Sequence, residues 1–253
     1  MSLGASSVAG RVHEFTHPSL ASKVVIEQQP DKVLGHAEAD GTNVRLWPAA
    51  LVFGRYLCAH PELVRGKRVI ELGAGTGVAG LICAALGARH VTITDVPEAL
   101  RLIRTNVEQN GTWLEPSRVA IAPCTWGDED HILRLLKGTE AGGGGGQGGV
   151  GRDETGEAYD VILSCELVYK QPEQVLEALA ETQRRLSGPR SLNILVYEFR
   201  GHMLSDLPYF EAVTEAFDAE PEATSLAPFG ESGDGVVGDE DDSRYVYIYR
   251  HSG

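Results

Sequence analysis

The stretch Val69-Ile-Glu-Leu-Gly-Ala-Gly-Thr-Gly77 decides how this chain folds. An apolar run that ends in a glycine-rich turn is typical of a buried strand that leads into a helix. Glycines at 73, 75 and 77 allow a sharp turn and bring backbone N–H groups close to a ligand. The stretch therefore predicts a strand, a ligand-binding turn and a helix that begins near Val78.

Strands and helices alternate on both sides of this turn. We predict strands over 67–72, 90–94, 118–122, 159–164 and 191–197, and a last strand over 244–250. Helices are predicted over 49–59, 78–86, 97–110, 131–137, 172–186 and 207–217. This alternation is typical of right-handed βαβ units, and it predicts a doubly wound, Rossmann-like α/β fold. The sheet is expected to be mostly parallel, with an antiparallel last strand because a loop rather than a helix precedes it.

The remaining segments suggest one domain over residues 23–253. Residues 23–46 begin with KVVIEQ, which favours a strand and predicts a small N-terminal β extension. Residues 138–158 include the run AGGGGGQGGVG, which cannot bury a core and predicts a surface loop insertion. Residues 1–22 contain no continuous apolar segment and are expected to form a disordered tail rather than a secretory signal.

Composition narrows the class of partner. The chain has 253 residues, with 36 acidic and 22 basic side chains and a formal net charge of −14. Such a charge repels phosphate backbones, and no Lys/Arg cluster offsets it, so we expect no nucleic-acid partner. It favours basic partners such as lysine-bearing protein surfaces. No apolar run reaches the roughly 20 residues that cross a bilayer, so no membrane span is expected.

Cysteine and histidine spacing predicts neither disulfides nor a metal site. The four cysteines are well separated, and none of the eight histidines has a partner at ligand spacing. Buried free thiols fit a reducing compartment, and we expect a cytoplasmic protein, with the nucleus or an organelle as alternatives. The sequence leaves the oligomeric state open, and a monomer is compatible with it.

Two ligand classes compete for the glycine turn. Gly75, Gly77 and Gly80 satisfy the spacing G-x-G-x-x-G, so a nicotinamide or flavin dinucleotide has to be considered. In that fingerprint the first glycine follows the strand closely, whereas Gly73 and Ala74 precede Gly75 here. The departure from the dinucleotide pattern favours a different ligand.

Two carboxylates sharpen this choice. Glu71, at the end of its strand, places negative charge in the ligand crevice, where it would repel a pyrophosphate and attract a sulfonium cation that carries an α-amino group. Asp95 ends the next strand and suits ribose hydroxyls of either ligand, although it could instead cap the helix that follows. An adenosyl sulfonium is favoured. A dinucleotide-dependent oxidoreductase and a non-catalytic interaction module with a vestigial fold remain as alternatives.

Five separated motifs give the chain a family resemblance. They are Trp47-Pro-Ala-Ala-Leu51, the stretch over 69–77, Thr94-Asp95, Cys124-Thr-Trp-Gly127 and Ser164-Cys-Glu-Leu-Val-Tyr169. Over residues 24–197 the chain resembles the seven-β-strand methyltransferases of family 16, the methyltransferase-like protein-lysine methyltransferases. The resemblance implies a seven-stranded sheet, S-adenosylmethionine as cofactor and methyl transfer to a protein lysine. Protein histidine or a small-molecule nitrogen is the alternative acceptor.

The resemblance also implies roles for individual residues. Those expected to bind the cofactor are Trp47, Glu71, Gly73, Ala74, Gly75, Gly77, Asp95, Trp126 and Cys165. Glu71 to Gly77 would hold the methionine portion, Asp95 the ribose and Trp126 the adenine. Glu166 and Tyr169 would shape the pocket of the target amine. Glu166 stands where Asp is commoner in the family, and both residues also have plain structural interpretations, as a paired carboxylate and a packing aromatic.

Overall fold

The computed structural model describes residues 11–29, 44–138, 159–169, 171–200, 203–218, 221–229 and 243–250. Residues 139–158, which make up nearly all of the predicted glycine-rich insertion, lie outside this part of the chain. So do the first ten residues of the predicted tail. Within the described residues, no helix has the length and apolar character that crossing a membrane requires.

Two sheets contain all the strands of the described residues. The strands are β1 Val12–Phe15, β2 Val24–Glu27, β3 Arg68–Leu72, β4 His90–Asp95, β5 Val119–Pro123, β6 Val161–Cys165, β7 Leu192–Glu198, β8 Glu222–Ser225 and β9 Arg244–Arg250. Seven of them form the central sheet in the order β5-β4-β3-β6-β7-β9-β8. The pairs from β5 to β7 are parallel, whereas β9 is antiparallel to both β7 and β8. The predicted fold class is confirmed, including the antiparallel last strand.

Helices cover both faces of the central sheet. They are α1 Pro48–Ala59, α2 Val78–Ala85, α3 Leu100–Gln109, α4 Glu129–Lys137, α5 Glu173–Leu186 and α6 Met203–Phe217. Successive residues of a strand point to opposite faces, so Val69 joins the core beneath α1, α2 and α3 while Ile70 joins the core beneath α4, α5 and α6. Both side chains are fully buried. Burial on two faces explains why Val69, Ile70 and Leu72 of β3 are all apolar.

Two strands were absent from the sequence prediction. β8 reads Glu-Ala-Thr-Ser, is mostly exposed and lies at the sheet edge, so it carries no apolar alternation that could have indicated it. The predicted disordered tail over 1–22 is wrong where it overlaps β1, which pairs antiparallel with β2. Phe15 ends β1 and is buried, and its ring lies beside Gly54 of α1. One buried aromatic ring thus helps to order a segment with little pattern of its own.

Asn106 of α3 and Asn110, the residue directly after that helix, attach the β1–β2 ribbon to the main domain. The Asn110 side chain accepts from Val25 N–H at 2.9 Å and donates to Val25 O at 2.7 Å. The Asn106 side chain makes the same pair of bonds to Glu27, at 2.7 and 3.0 Å, and also donates to Thr76 O at 2.8 Å. Both amides are fully buried. They take the place of a neighbouring strand along the edge of β2, where backbone groups need partners.

Replacing Asn106 with Ala is expected to destabilise the protein by about 2–4 kcal/mol, because it leaves buried backbone groups of Glu27 and Thr76 unpaired. Urea unfolding followed by tryptophan fluorescence would measure the loss. Glu108→Ala, on the exposed face of the same helix, is the control and should change the free energy of unfolding by no more than about 0.5 kcal/mol. Equal effects of the two substitutions would contradict this role of Asn106.

Candidate active site

A cavity of about 830 Å³ opens at the carboxyl ends of the parallel strands. Ligands of doubly wound sheets bind at this edge. Ten of the eleven predicted site residues line it, namely Trp47, Glu71, Gly73, Ala74, Gly75, Asp95, Trp126, Cys165, Glu166 and Tyr169. The eleventh, Gly77, is the residue from which α2 begins. The structure therefore brings together residues that are separated by more than a hundred positions in the chain.

The glycine turn after β3 has little room for side chains. Gly73 has a φ of 55°, in the left-handed region, and a Cβ there would lie 2.5 Å from Leu167 Cδ2 and 3.1 Å from Trp126 Cζ2. Gly75 has a φ of 57° and Gly77 a φ of 77°. These positions favour glycine for conformation, and Gly73 favours it for space as well. The turn thus exposes backbone to the cavity, as the sequence predicted.

Glu71 is a buried carboxylate in the cavity wall. Its side chain is 3% exposed, and Oε2 accepts a hydrogen bond from Gly80 N–H, in the first turn of α2, at 2.8 Å. Burial raises the pKa of Glu71 to about 8, and the negative charge of nearby Asp95 acts in the same direction. A bound cation would stabilise the ionised form of this buried carboxylate, because its positive charge offsets the cost of desolvation.

Asp95 supports the glycine turn from the end of β4. Its Oδ2 accepts from Gly75 N–H and its Oδ1 from Val96 N–H, both at 2.7 Å. Burial raises the pKa of Asp95 to about 6. The alternative role as a helix cap is wrong, because α3 begins at Leu100 and Ala99 precedes it without a side-chain cap. Each carboxylate oxygen keeps a second lone pair that a hydroxyl could use.

Two tryptophans line the cavity in addition to these polar groups. Trp47 immediately precedes α1, and Trp126 lies in the loop that follows β5. Both are partly exposed, and Trp126 also packs against the buried residues beneath α4 and α5. Aromatic faces beside an open cavity suit a flat ligand ring.

The wall of the same cavity also contains an ion pair. Glu166 follows β6 with a φ of 59°, and its side chain is 5% exposed. Its Oε2 accepts a short hydrogen bond from Arg200, and Arg200 also lies 3.1 Å from Glu198. The Arg200 guanidinium carbon lies 4.7 Å from the centre of the Tyr169 ring. Glu166 is thus a paired carboxylate, which agrees with the structural interpretation given for it in the sequence analysis. It is also buried in the cavity wall.

Sequence analysis missed Arg200. It lies just beyond the carboxyl end of β7, the strand next to β6, and such positions in a parallel sheet line the ligand crevice. That placement could have singled it out once the strand was predicted. Within the described residues, no group of three or more His, Cys, Asp or Glu side chains could hold a metal ion.

The seven-stranded sheet and the cavity at its carboxyl edge define a Rossmann-like fold of the methyltransferase type. The profile of methyltransferase family 16, described as lysine methyltransferase, matches residues 28–136. This match, over 109 of the 253 residues, agrees with the family resemblance seen in the sequence motifs.

Two sequence relatives are named as lysine methyltransferases. EEF1A lysine methyltransferase 3 of Mus musculus is 35% identical over 161 residues, which cover 63% of this chain and 57% of the relative. The protein N-lysine methyltransferase METTL21A of Danio rerio is 34% identical over 160 residues, or 63% of this chain and 62% of the relative. The chain thus spans about three fifths of these relatives.

The fold is similar to that of a T. thermophilus 16S rRNA methyltransferase solved with AdoMet and guanosine. The TM-score is 0.55 at 19% identity, and the match covers 97% of this chain and 52% of that one. At this identity the likeness concerns the fold alone.

Glu71→Gln is expected to flatten the pH dependence of stability. The folded state keeps a proton on Glu71 up to a pKa of about 8, whereas the unfolded chain releases it near the ordinary glutamate value, so wild-type stability falls as pH rises between the two. Between those two pKa values, the free energy of unfolding of the variant should rise relative to that of the wild type by about 1.4 kcal/mol per pH unit. Urea unfolding at pH 5.5, 7.0 and 8.5 measures this gap. Glu177→Gln, at an exposed position of α5, is the control. A gap that stays constant with pH would refute the burial argument.

Proposed function

We propose that this protein is an S-adenosylmethionine-dependent methyltransferase that modifies lysine side chains of a protein in the cytoplasm. The observation that carries the proposal is the pair of buried carboxylates, Glu71 and Asp95, in one cavity with the glycine turn. Glu166 and Tyr169 line the same cavity, and the acceptor is proposed to bind beside them. The family match and the protein substrates that its relatives' names state support the choice of lysine.

The donor end of the cavity fits an adenosyl sulfonium. Glu71 would attract the positive charges of the methionine portion, while the absence of a side chain at Gly73 lets Leu167 and Trp126 pack against the turn. Asp95 would accept from the ribose hydroxyls, and Trp126 would lie beside the adenine. A pyrophosphate would instead approach two carboxylates, which argues against the dinucleotide alternative. When bound, S-adenosylmethionine supplies a methyl group that its positive sulfur has already activated.

The acceptor end has to hold a neutral amine. The nitrogen lone pair forms the N–C bond while the S–C electron pair leaves with sulfur, and the resulting ammonium gives its extra proton to solvent. One oxygen of Glu166, Oε1, is buried and has no hydrogen-bond partner among the described residues. It would accept an N–H from the amine and orient the lone pair, and Tyr169 would form one wall. This placement supplies proximity and alignment, which methyl transfer chiefly requires.

Charge and thiol chemistry fit a protein acceptor. The net charge of −14 favours a basic, lysine-bearing surface. All four cysteines are free thiols, which suits a reducing compartment such as the cytoplasm. Protein histidine and small-molecule nitrogens remain as the other acceptors that an experiment should distinguish.

Donor binding can be tested apart from activity. Calorimetry should show heat with S-adenosylhomocysteine and none with NAD or FAD. Gly73→Ala is expected to weaken binding at least about tenfold, or 1.4 kcal/mol, because the new methyl group meets Leu167 and Trp126. Gly66→Ala is a matched control, since Gly66 has a similar φ of 71° but open space around it, so it strains the backbone without affecting the cavity. Tight binding of NAD or FAD, with no binding of S-adenosylhomocysteine, would refute the proposal.

The acceptor class can be tested with tritiated S-adenosylmethionine and a whole-cell extract. The wild-type enzyme should label one or a few protein bands. Hydrolysis of the labelled proteins should release methylated lysine that carries the tritium. Glu166→Ala is expected to slow labelling about ten- to hundredfold, the effect of losing one hydrogen bond to a charged group, while S-adenosylhomocysteine still binds. Glu177→Ala is the control. Label confined to small molecules, or to histidine, would replace the lysine assignment, and undiminished labelling by Glu166→Ala would remove the role of that residue.

A further inference from the structure

Arg200 is the cation at the acceptor end of the cavity. Its guanidinium donates to Glu166 Oε2, lies 3.1 Å from Glu198 Oε2 and lies over the ring of Tyr169. The side chain is only 20% exposed. Three separate contacts therefore fix this charge next to the two residues that the proposed function assigns to the acceptor.

The ion pair uses only half of the Glu166 carboxylate. Oε2 is taken by Arg200, whereas Oε1 is buried without a partner among the described residues. A buried carboxylate oxygen that no group pairs with is unfavourable unless a ligand donates to it. Because Glu166 lines the cavity, a donor that enters from there and reaches the buried Oε1 would satisfy this oxygen.

Among the described residues, the charges that contact Glu166 cancel once Glu166 is ionised, which burial delays by raising its pKa to about 7. Glu198 also accepts from Arg244 Nε at 2.9 Å, so two carboxylates and two guanidinium groups form one connected cluster. Their formal charges sum to zero. Without Arg200 the same cluster would carry one net negative charge next to the acceptor.

This balance matters because the acceptor has to lose a proton before it reacts. A lysine amine has a reference pKa of about 10.4, and a nearby uncompensated carboxylate would favour the ammonium form, which has no lone pair. An opposite charge within hydrogen-bonding range shifts a pKa by about 1–3 units. A Glu166 carboxylate whose charge is cancelled would accept an N–H without holding the extra proton.

We propose that Arg200 is a positioning residue of the acceptor site: it cancels the charge of Glu166 and fixes its carboxylate against Tyr169, so that Oε1 receives a neutral amine rather than an ammonium ion. This inference rests on the proposed function. Among the described residues, the other titratable or charged groups around Glu166 are Cys165, Tyr169, Tyr197, Glu198 and Arg244, and Glu71 lines the same cavity. They are the same in the Arg200 variants below, so a difference between those variants and the wild type reports on Arg200.

The test is the pH profile of methyl transfer within the bound complex. Single-turnover rates from tritiated S-adenosylmethionine to excess whole-cell protein extract would be measured from pH 6.5 to 10. For R200Q the midpoint of the rising limb should move up by about one unit, so the rate near pH 7.5 falls about tenfold and recovers near pH 10. R200K keeps the charge and should stay within about threefold of the wild type. E166Q removes the opposite charge, and its midpoint should move down.

Two controls separate this effect from damage to the fold. R184Q removes one arginine charge from the exposed pair with Glu181 and should leave the profile unchanged. Calorimetry with S-adenosylhomocysteine should give the same affinity for every variant, which shows that the fold and the donor site are intact.

Two results for R200Q would overturn the inference: a midpoint equal to that of the wild type, or a uniform loss of rate at every pH. If R200Q does not fold, the E166Q midpoint decides, and an unchanged or higher value overturns the inference. A wild-type protein that binds S-adenosylhomocysteine but labels no protein at any pH would reject the proposed function itself, and this inference with it.

Discussion

Two buried carboxylates, Glu71 and Asp95, are the feature on which the geometry of the cavity depends. Neither has a cation among its hydrogen-bond partners in the described residues. Backbone N–H groups of Gly80, Gly75 and Val96 hold them in place instead. The same hydrogen bonds shape the glycine turn and align α2. They therefore fix both the position of the two acidic groups and the backbone geometry of the cavity. The raised pKa values of both acids reflect how far burial outweighs these bonds.

The N-terminal ribbon is connected to this turn. The Asn106 side chain bonds to both Glu27 of β2 and Thr76 of the turn, so one amide joins a segment outside the central sheet to the backbone of the site. The ribbon is therefore part of the support of the cavity. Leu46 N–H donates to Gln28 Oε1 at 3.0 Å, so the residue before Trp47, which lines the cavity, is bonded to the residue that follows β2.

Local sequence information was enough for the elements whose pattern is strong. The strand, turn and helix around residues 69–77 were predictable because burial on two faces requires apolar residues and left-handed backbone favours glycine. Both can be recognised in the sequence. β8 left no such mark, since an exposed edge strand has neither alternation nor apolar content. β1 was missed because the packing of Phe15 against α1 is a tertiary contact.

The candidate site was predictable to a similar extent. Residues in glycine-rich or aromatic motifs could be named from the sequence, and they line one cavity. Arg200 could not be paired with Glu166 in advance, because the two lie 34 positions apart and meet only when β6 and β7 are neighbours. Charge balance in a pocket depends on such long-range pairings, and composition alone does not reveal them.

The strand order has a consequence for how the chain reaches its native state. β8 pairs in the central sheet only with β9, which follows it in the chain, and β9 inserts between β8 and β7. At the centre of the sheet, Arg68 bonds to Asp160 across 92 positions. Closing such large loops before any pairing energy is gained slows folding. The half of the sheet from β6 onward should therefore assemble late, and until then the edges of β3 and β7 would be exposed to intermolecular pairing.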